Sequence, residues 1–118
     1  MPNFNKSILA LKLAKLHTAV FLAVAHYVAA VSEFEDNLLA NKPRRAELEK
    51  VALKARERLV RQMTNMRMTI QQFGKPGPTA AEQTGSKGLN AMYNGFRNDL
   101  LDTDATFEAA RTIAQAAN

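Results

Sequence analysis

At 118 residues the chain has the length of one domain, and with 47% hydrophobic residues, few aromatics and no Trp its core must be aliphatic, with Ala and Met filling gaps. The lack of Cys excludes a disulfide scaffold, a zinc–thiolate centre and a thiol nucleophile, and a charged fraction of 23% is that of a globular rather than a disordered chain. The net charge of +5 is uneven: residues 43–75 hold nine Lys or Arg against three Glu, whereas residues 76–118 hold three basic residues against five acids.

The first predicted element is a helix over residues 5–40. Its apolar residues fall at Leu9, Leu13, Leu16, Val20, Val24, Tyr27, Val31, Phe34 and Leu38, at spacings of three and four with one stutter near Val20 and Val24. Such spacing places them on one stripe of a helix. Residues 16–31 are apolar apart from His17, Thr18 and His26, with Lys6, Lys12 and Lys15 before them and acids after. That run has something of a signal-peptide core, with Val28-Ala29-Ala30 as small-residue chemistry. It is shorter than the ~20 residues of a bilayer span, and the apolar pattern continues on both sides of it. A buried helix in a soluble bundle is therefore expected, in the cytoplasm or within an assembled particle, and no membrane partner.

Asn41-Lys42-Pro43 interrupts the pattern, with Asn41 suited to ending the first helix in a left-handed conformation and Pro43 to the first turn of the next. The second helix, over residues 43–73, repeats the seam at Leu48, Ala52, Ala55, Leu59, Met63, Met66, Ile70 and Phe73. Gly74, Pro76 and Pro78 stop it. Two matched seams joined by a short turn imply an antiparallel, coiled-coil-like helical hairpin over residues 1–73. Residues 74–88, with four of the five glycines, read as a flexible linker in which Thr79-Ala80-Ala81-Glu82 has capping-box spacing. Residues 89–118 read as a short C-terminal helical arm: one helix on Leu89, Met92, Tyr93, Phe96 and Leu100, weakened by Gly95, then one capped by Asp102 or Thr103 and carrying Phe107, Ala110, Ile113 and Ala114. The expected fold is all-α, a long hairpin plus short C-terminal helices in a three- or four-helix bundle.

Each hairpin helix also carries an offset apolar ridge, Phe21, Val28 and Leu39 on the first and Leu53 and Val60 on the second. One hairpin buries one seam, so these ridges require a partner: either the C-terminal arm, through Phe96, Leu100 and Phe107, or a second copy of the chain. A homo-oligomer or larger protein assembly is the favoured expectation.

Catalytic candidates fail on spacing. His17 and His26, nine residues apart, face opposite sides of one helix and lack carboxylates at helical spacing, so no metal site is expected. Glu33, Glu35 and Asp36 have no His beside them, and the turn brings Arg44 and Arg45 near enough to tie them across the hairpin tip. Gly85-Ser86-Lys87-Gly88 lacks phosphate-loop spacing and follows no strand. Ser7, Ser32 and Ser86 have no neighbouring base. No enzyme activity, cofactor or small-molecule substrate is expected.

Lys50, Lys54, Arg58 and Arg61 align on the outer face of the second helix, a stripe able to follow a nucleic-acid backbone or an anionic membrane surface. Glu47 and Glu57 dilute it, no aromatic residue interleaves it, and the acidic C-terminal arm is able to dock there. The hairpin and length are similar to those of small secreted helical-hairpin proteins with a Trp-X-Gly turn, but Leu39-Ala40-Asn41-Lys42-Pro43 contains neither Trp nor Gly, and the chain is not assigned to them. The function expected is that of a non-enzymatic structural or assembly protein, such as a virion or secretion-apparatus component, with a nucleic-acid-binding accessory protein as the alternative.

Overall fold

The computed structural model describes the backbone of residues 2–72 and 80–117 and the side chains of residues 8–72 and 87–117. Within them lie three helices and no strand: α1 (Pro2–Asp36), α2 (Lys42–Gln72) and α3 (Ala80–Ala116). The chain is all-α, as its three- and four-residue apolar spacing requires.

The connection at residues 37–41 is built by two asparagines. The Asn37 side-chain amide donates to the Glu33 carbonyl at 2.7 Å, and its backbone N–H closes a tight turn on the Phe34 carbonyl at 3.1 Å. These bonds satisfy carbonyls at the end of α1, so the helix stops at Asp36 rather than reaching Ala40. Asn41 does not end α1 in the expected way. Its carbonyl accepts from the Arg45 N–H at 3.0 Å and its side-chain Oδ1 from the Arg44 N–H at 2.9 Å, which makes it the N-cap of α2. Pro43 sits in the first turn of that helix, where its missing N–H costs nothing.

The apolar seams lie where the periodicity places them. Leu13, Val20, Tyr27, Val31 and Phe34 of α1 and Leu48, Ala52, Leu59, Met63 and Met66 of α2 are buried in one cluster, with Leu16, Val24, Leu38, Ala55 and Ile70 half-buried around it. Thr69, the one buried polar residue among those described, donates its hydroxyl to the Asn65 carbonyl at 2.9 Å and leaves no orphaned polar atom. Phe73, the stop at Gly74, the breakers Pro76 and Pro78 and the cap at Thr79 lie outside the described residues.

α3 departs from the expected arm. Residues 80–88, assigned to a linker, are helical, and the two short helices foreseen after residue 89 are one continuous helix of 37 residues. Gly88 and Gly95 are carried inside it although each costs about 1 kcal/mol relative to Ala. Neither approaches a neighbour, since an added Cβ would meet nothing within 4 Å. Thr103 does not cap a new helix, because its hydroxyl bonds back to the Asp99 carbonyl at 2.7 Å within the same one. What holds α3 continuous is packing: Phe96, Phe107, Ala110 and Ala114 are buried in the common core.

α3 follows α1 in the same direction and α2 in the opposite one. His17 meets Phe96 and Phe34 meets Phe107, whereas Arg67 meets Tyr93 and Glu49 meets Arg111. The three helices lie side by side in a body of 60 × 21 × 15 Å, about as long as the ~55 Å that 37 helical residues span.

Candidate interaction surfaces

A helix packed on one side into a bundle ordinarily turns charged residues to solvent. α1 does not. Between Leu16 and Ser32 it carries no Lys, Arg, Asp or Glu, and its outer side shows Leu11, Phe21, Leu22 and Val28. Phe21 is 60% exposed and Val28 47%. The stretch Ile8–Asp36 is long and apolar enough by length and composition to cross a membrane, with a mean hydropathy of 1.8 in its most apolar window. Only 17% of that window is buried within the chain. The expectation of a buried helix is thus met on the seam alone, because α2 and α3 together cover one side of α1.

The five ridge residues have different surroundings. Phe21, Val28, Leu39 and Leu53 are exposed, Leu39 completely, and Val60 is half-buried. The C-terminal arm does not cover the α1 ridge. Its Phe107 instead packs edge-on against Tyr27 and Phe34, with centroids 6.1 and 5.7 Å apart, both residues of the seam. Ile8, Leu11 and Leu22, outside the ridge as read from sequence, are exposed beside it.

On α2, Lys50, Lys54, Arg58 and Arg61 are all exposed. Arg61 pairs with Glu57 at 3.7 Å, a solvent-facing contact worth little. Among the described residues no acid of α3 pairs with this face. Asp104 is drawn instead to Arg56, on the flank of α2, through a two-pronged contact at 2.9 and 2.8 Å. The Tyr27 hydroxyl donates to the same carboxylate at 2.5 Å, so one acid ties all three helices. A second ion pair, Arg111 to Glu49 at 2.8 Å, repeats the α2–α3 link, and the Arg111 guanidinium also lies 5.3 Å from the Phe107 ring centroid. At the turn, Arg44 reaches Glu33 at 3.3 Å, the tie foreseen across the tip.

Asp104 was not singled out by spacing, since its partners are 48 and 77 positions away. Burial pushes its carboxyl up, but the Arg56 and Tyr27 hydrogen bonds and the Arg56 charge outweigh burial and hold it below its usual range. Burial first, and then the bond to Asp104, push the Tyr27 phenol well above its ordinary value.

A cleft of about 540 Å³ between α2 and α3 is lined by Arg67, Gln71, Asn90, Asn94 and Arg97 with Tyr93. Arg67 lies 5.9 Å from the Tyr93 ring centroid. Guanidinium and carboxamide groups bind anions and carbonyls, and this lining contains no nucleophile paired with a base. His17 is half-buried with its ring 5.3 Å from that of Phe96, while His26 is exposed. Among the described residues no three His, Asp or Glu side chains gather as metal ligands. Compared with family models, with curated proteins and with solved structures, the chain matches none.

Proposed function

We propose that this protein is a non-enzymatic assembly protein, a helical component of a larger protein complex, that self-associates or docks a partner through the antiparallel helical hairpin of α1 and α2. In this reading the hairpin supplies the interface and α3 braces it from the opposite side. The observation that carries the proposal is the outer face of α1, which has no Lys, Arg, Asp or Glu from Leu16 to Ser32 and is left uncovered by the other described residues. A helix apolar all round is stable in water only when its second side is also covered. Phe21 and Val28 form the centre of the interface, with Leu39, Leu53 and Val60 as further contributors.

Sedimentation of the full chain over a wide concentration range is expected to give a mass above the 13.0 kDa of one chain. Replacing both Phe21 and Val28 by Glu is expected to return it to 13.0 kDa while helicity is retained, because both side chains are exposed and outside the core. A wild-type chain that stays monomeric at every concentration, without lipid or partner, would remove the self-association arm of the proposal.

A second reading is supported by the basic face of α2. Lys50, Lys54 and Arg58 are exposed and make no ion pair among the described residues, and Asp104 of α3 pairs with Arg56 instead. Such a stripe suits the phosphates of a nucleic acid. Binding to a random-sequence duplex should then weaken with salt at a logarithmic slope of about −0.9 per phosphate neutralised. It should disappear when Lys54, Arg58 and Arg61 are all replaced by Glu. No binding at low salt would dispose of this reading.

A further inference from the structure

The outer face of α1 has a periodicity of its own. Leu11, Ala14, Thr18, Phe21, Ala25 and Val28 recur at spacings of three, four, three, four and three, and all six are exposed. An alternating spacing of three and four averages 3.5 residues, the repeat of a left-handed coiled-coil seam. α1 therefore carries two distinct seams. One is occupied by α2 and α3, and the other has no occupant among the described residues.

Side-chain size selects the direction of a partner helix. With a like helix running antiparallel about a two-fold axis level with residue 23, Phe21 faces Ala25 of the other copy and Val28 faces Thr18, each twice by symmetry. Large residues then meet small ones and the two backbones approach closely. A parallel pair would instead set Phe21 against Phe21 and Ala25 against Ala25.

Charge selects the same direction. Lys12 and Lys15 lie at the N-terminal end of the seam, and Glu33 and Asp36 at its C-terminal end. Lys15 and Glu33 are about five helical turns apart and so share one flank of α1. In an antiparallel pair the same flanks of the two helices meet, and Lys15 of each copy lies within about 3 Å along the axis of Glu33 of the other. In a parallel pair opposite flanks meet and the two lysine-bearing ends lie together, so Lys15 finds no Glu33. Glu33 already accepts from Arg44 at 3.3 Å with more than half of its side chain exposed, which leaves it able to receive a second cation.

A bilayer is the competing occupant of an apolar face, and the geometry is less favourable to it. Helices lying on a membrane flank their apolar side with several Lys or Arg, whereas α1 has none between Leu16 and Ser32. Spanning a bilayer would require α1 to leave the core and strip Tyr27 from Asp104.

We infer that the occupant is a second copy of this chain, joined as a two-fold dimer through antiparallel pairing of the outer seams of α1. The inference rests on the assembly reading above and makes it specific: it names the partner, the direction and the register.

The absence of native cysteine allows a direct test in the full chain. Leu22, Ala14 and Ser32 are all exposed, so a cysteine at each leaves the core intact. Leu22→Cys stands beside the axis and is expected to cross-link to itself with a short bismaleimide. Ala14→Cys is separated from its symmetry mate by roughly 27 Å along the helix and should not self-link. Mixed with Ser32→Cys, which faces it across the axis, it should link efficiently. Self-linking at all three positions would indicate a parallel pair and overturn the inference while leaving self-association standing. Oligomers by sedimentation with no linking at any of the three would mean that another surface assembles, with the same consequence. A monomer that floats with neutral phosphatidylcholine vesicles and links at none of them would make the face lipid-binding, and the inference and the assembly reading would both fall.

Discussion

Phe107→Ala is expected to destabilise the folded chain by about 3–5 kcal/mol, the usual cost of deleting a buried phenyl ring. Phe107 is 3% exposed and is the aromatic residue of α3 that touches two rings of α1, Tyr27 at 6.1 Å and Phe34 at 5.7 Å, each edge to face. Alanine removes the area burial and both quadrupolar contacts, and it takes from Arg111 the ring beneath its guanidinium. The body is only 15 Å across its thinnest dimension, so no second layer is available to close over the gap. Urea unfolding followed by helical circular dichroism, with wild type and variant at one protein concentration, checks the magnitude. A loss below about 1 kcal/mol would mean that α3 is held mainly by its ion pairs.

Asp104→Ala should cost about 2–3 kcal/mol near neutral pH, because the buried Tyr27 hydroxyl loses its acceptor and Arg56 its bidentate partner. The cost stays moderate because Arg56 is 43% exposed and water can replace the carboxylate there. Asp104→Asn, which keeps an acceptor for Tyr27 but no charge, should cost less than the alanine. The dependence on pH has a definite sign. The carboxyl of Asp104 is held below its ordinary range, so its contribution is complete above an unfolded carboxylate pKa of about 3.9 and disappears as pH falls through the lower folded value. The phenol of Tyr27 is held above its ordinary value, so its contribution is complete below about pH 10 and is lost only as pH rises through the higher folded value. Wild type and Asp104→Ala should therefore differ in stability across the neutral range and converge in strong acid. A difference that persisted undiminished at pH 2 would show that the carboxylate charge is not what stabilises the fold.

The buried seams were readable residue by residue. Leu13, Val20, Tyr27, Phe34, Leu48, Leu59 and Met66 were placed correctly by spacing, because a helical period of 3.6 converts position directly into direction. The cap exchanged roles for a local reason that spacing does not encode: Asn41 closes on Arg44 and Arg45 ahead of it, and Asn37 ends α1 behind it. The glycines of α3 misdirected the reading of the C-terminal third. A glycine weakens a helix in isolation, and the core contacts of Phe96 and Phe107 that outweigh Gly88 and Gly95 belong to tertiary packing.

The interaction surface divides in the same way. Sequence alone determined that α1 has more apolar surface than one hairpin seam can use, since the residues from Leu16 to Ser32 include no Lys, Arg, Asp or Glu. It also placed four basic residues on one face of α2. Only the tertiary structure decided that α3 covers the seam and leaves Phe21 and Val28 open, and that Asp104 goes to Arg56 and Tyr27 rather than to the basic face. The physical reason is range. Periodicity fixes the direction of a side chain within its own helix, whereas the choice among faces is made by contacts between residues 48 and 77 positions apart, where burial, ring geometry and a single well-placed carboxylate compete.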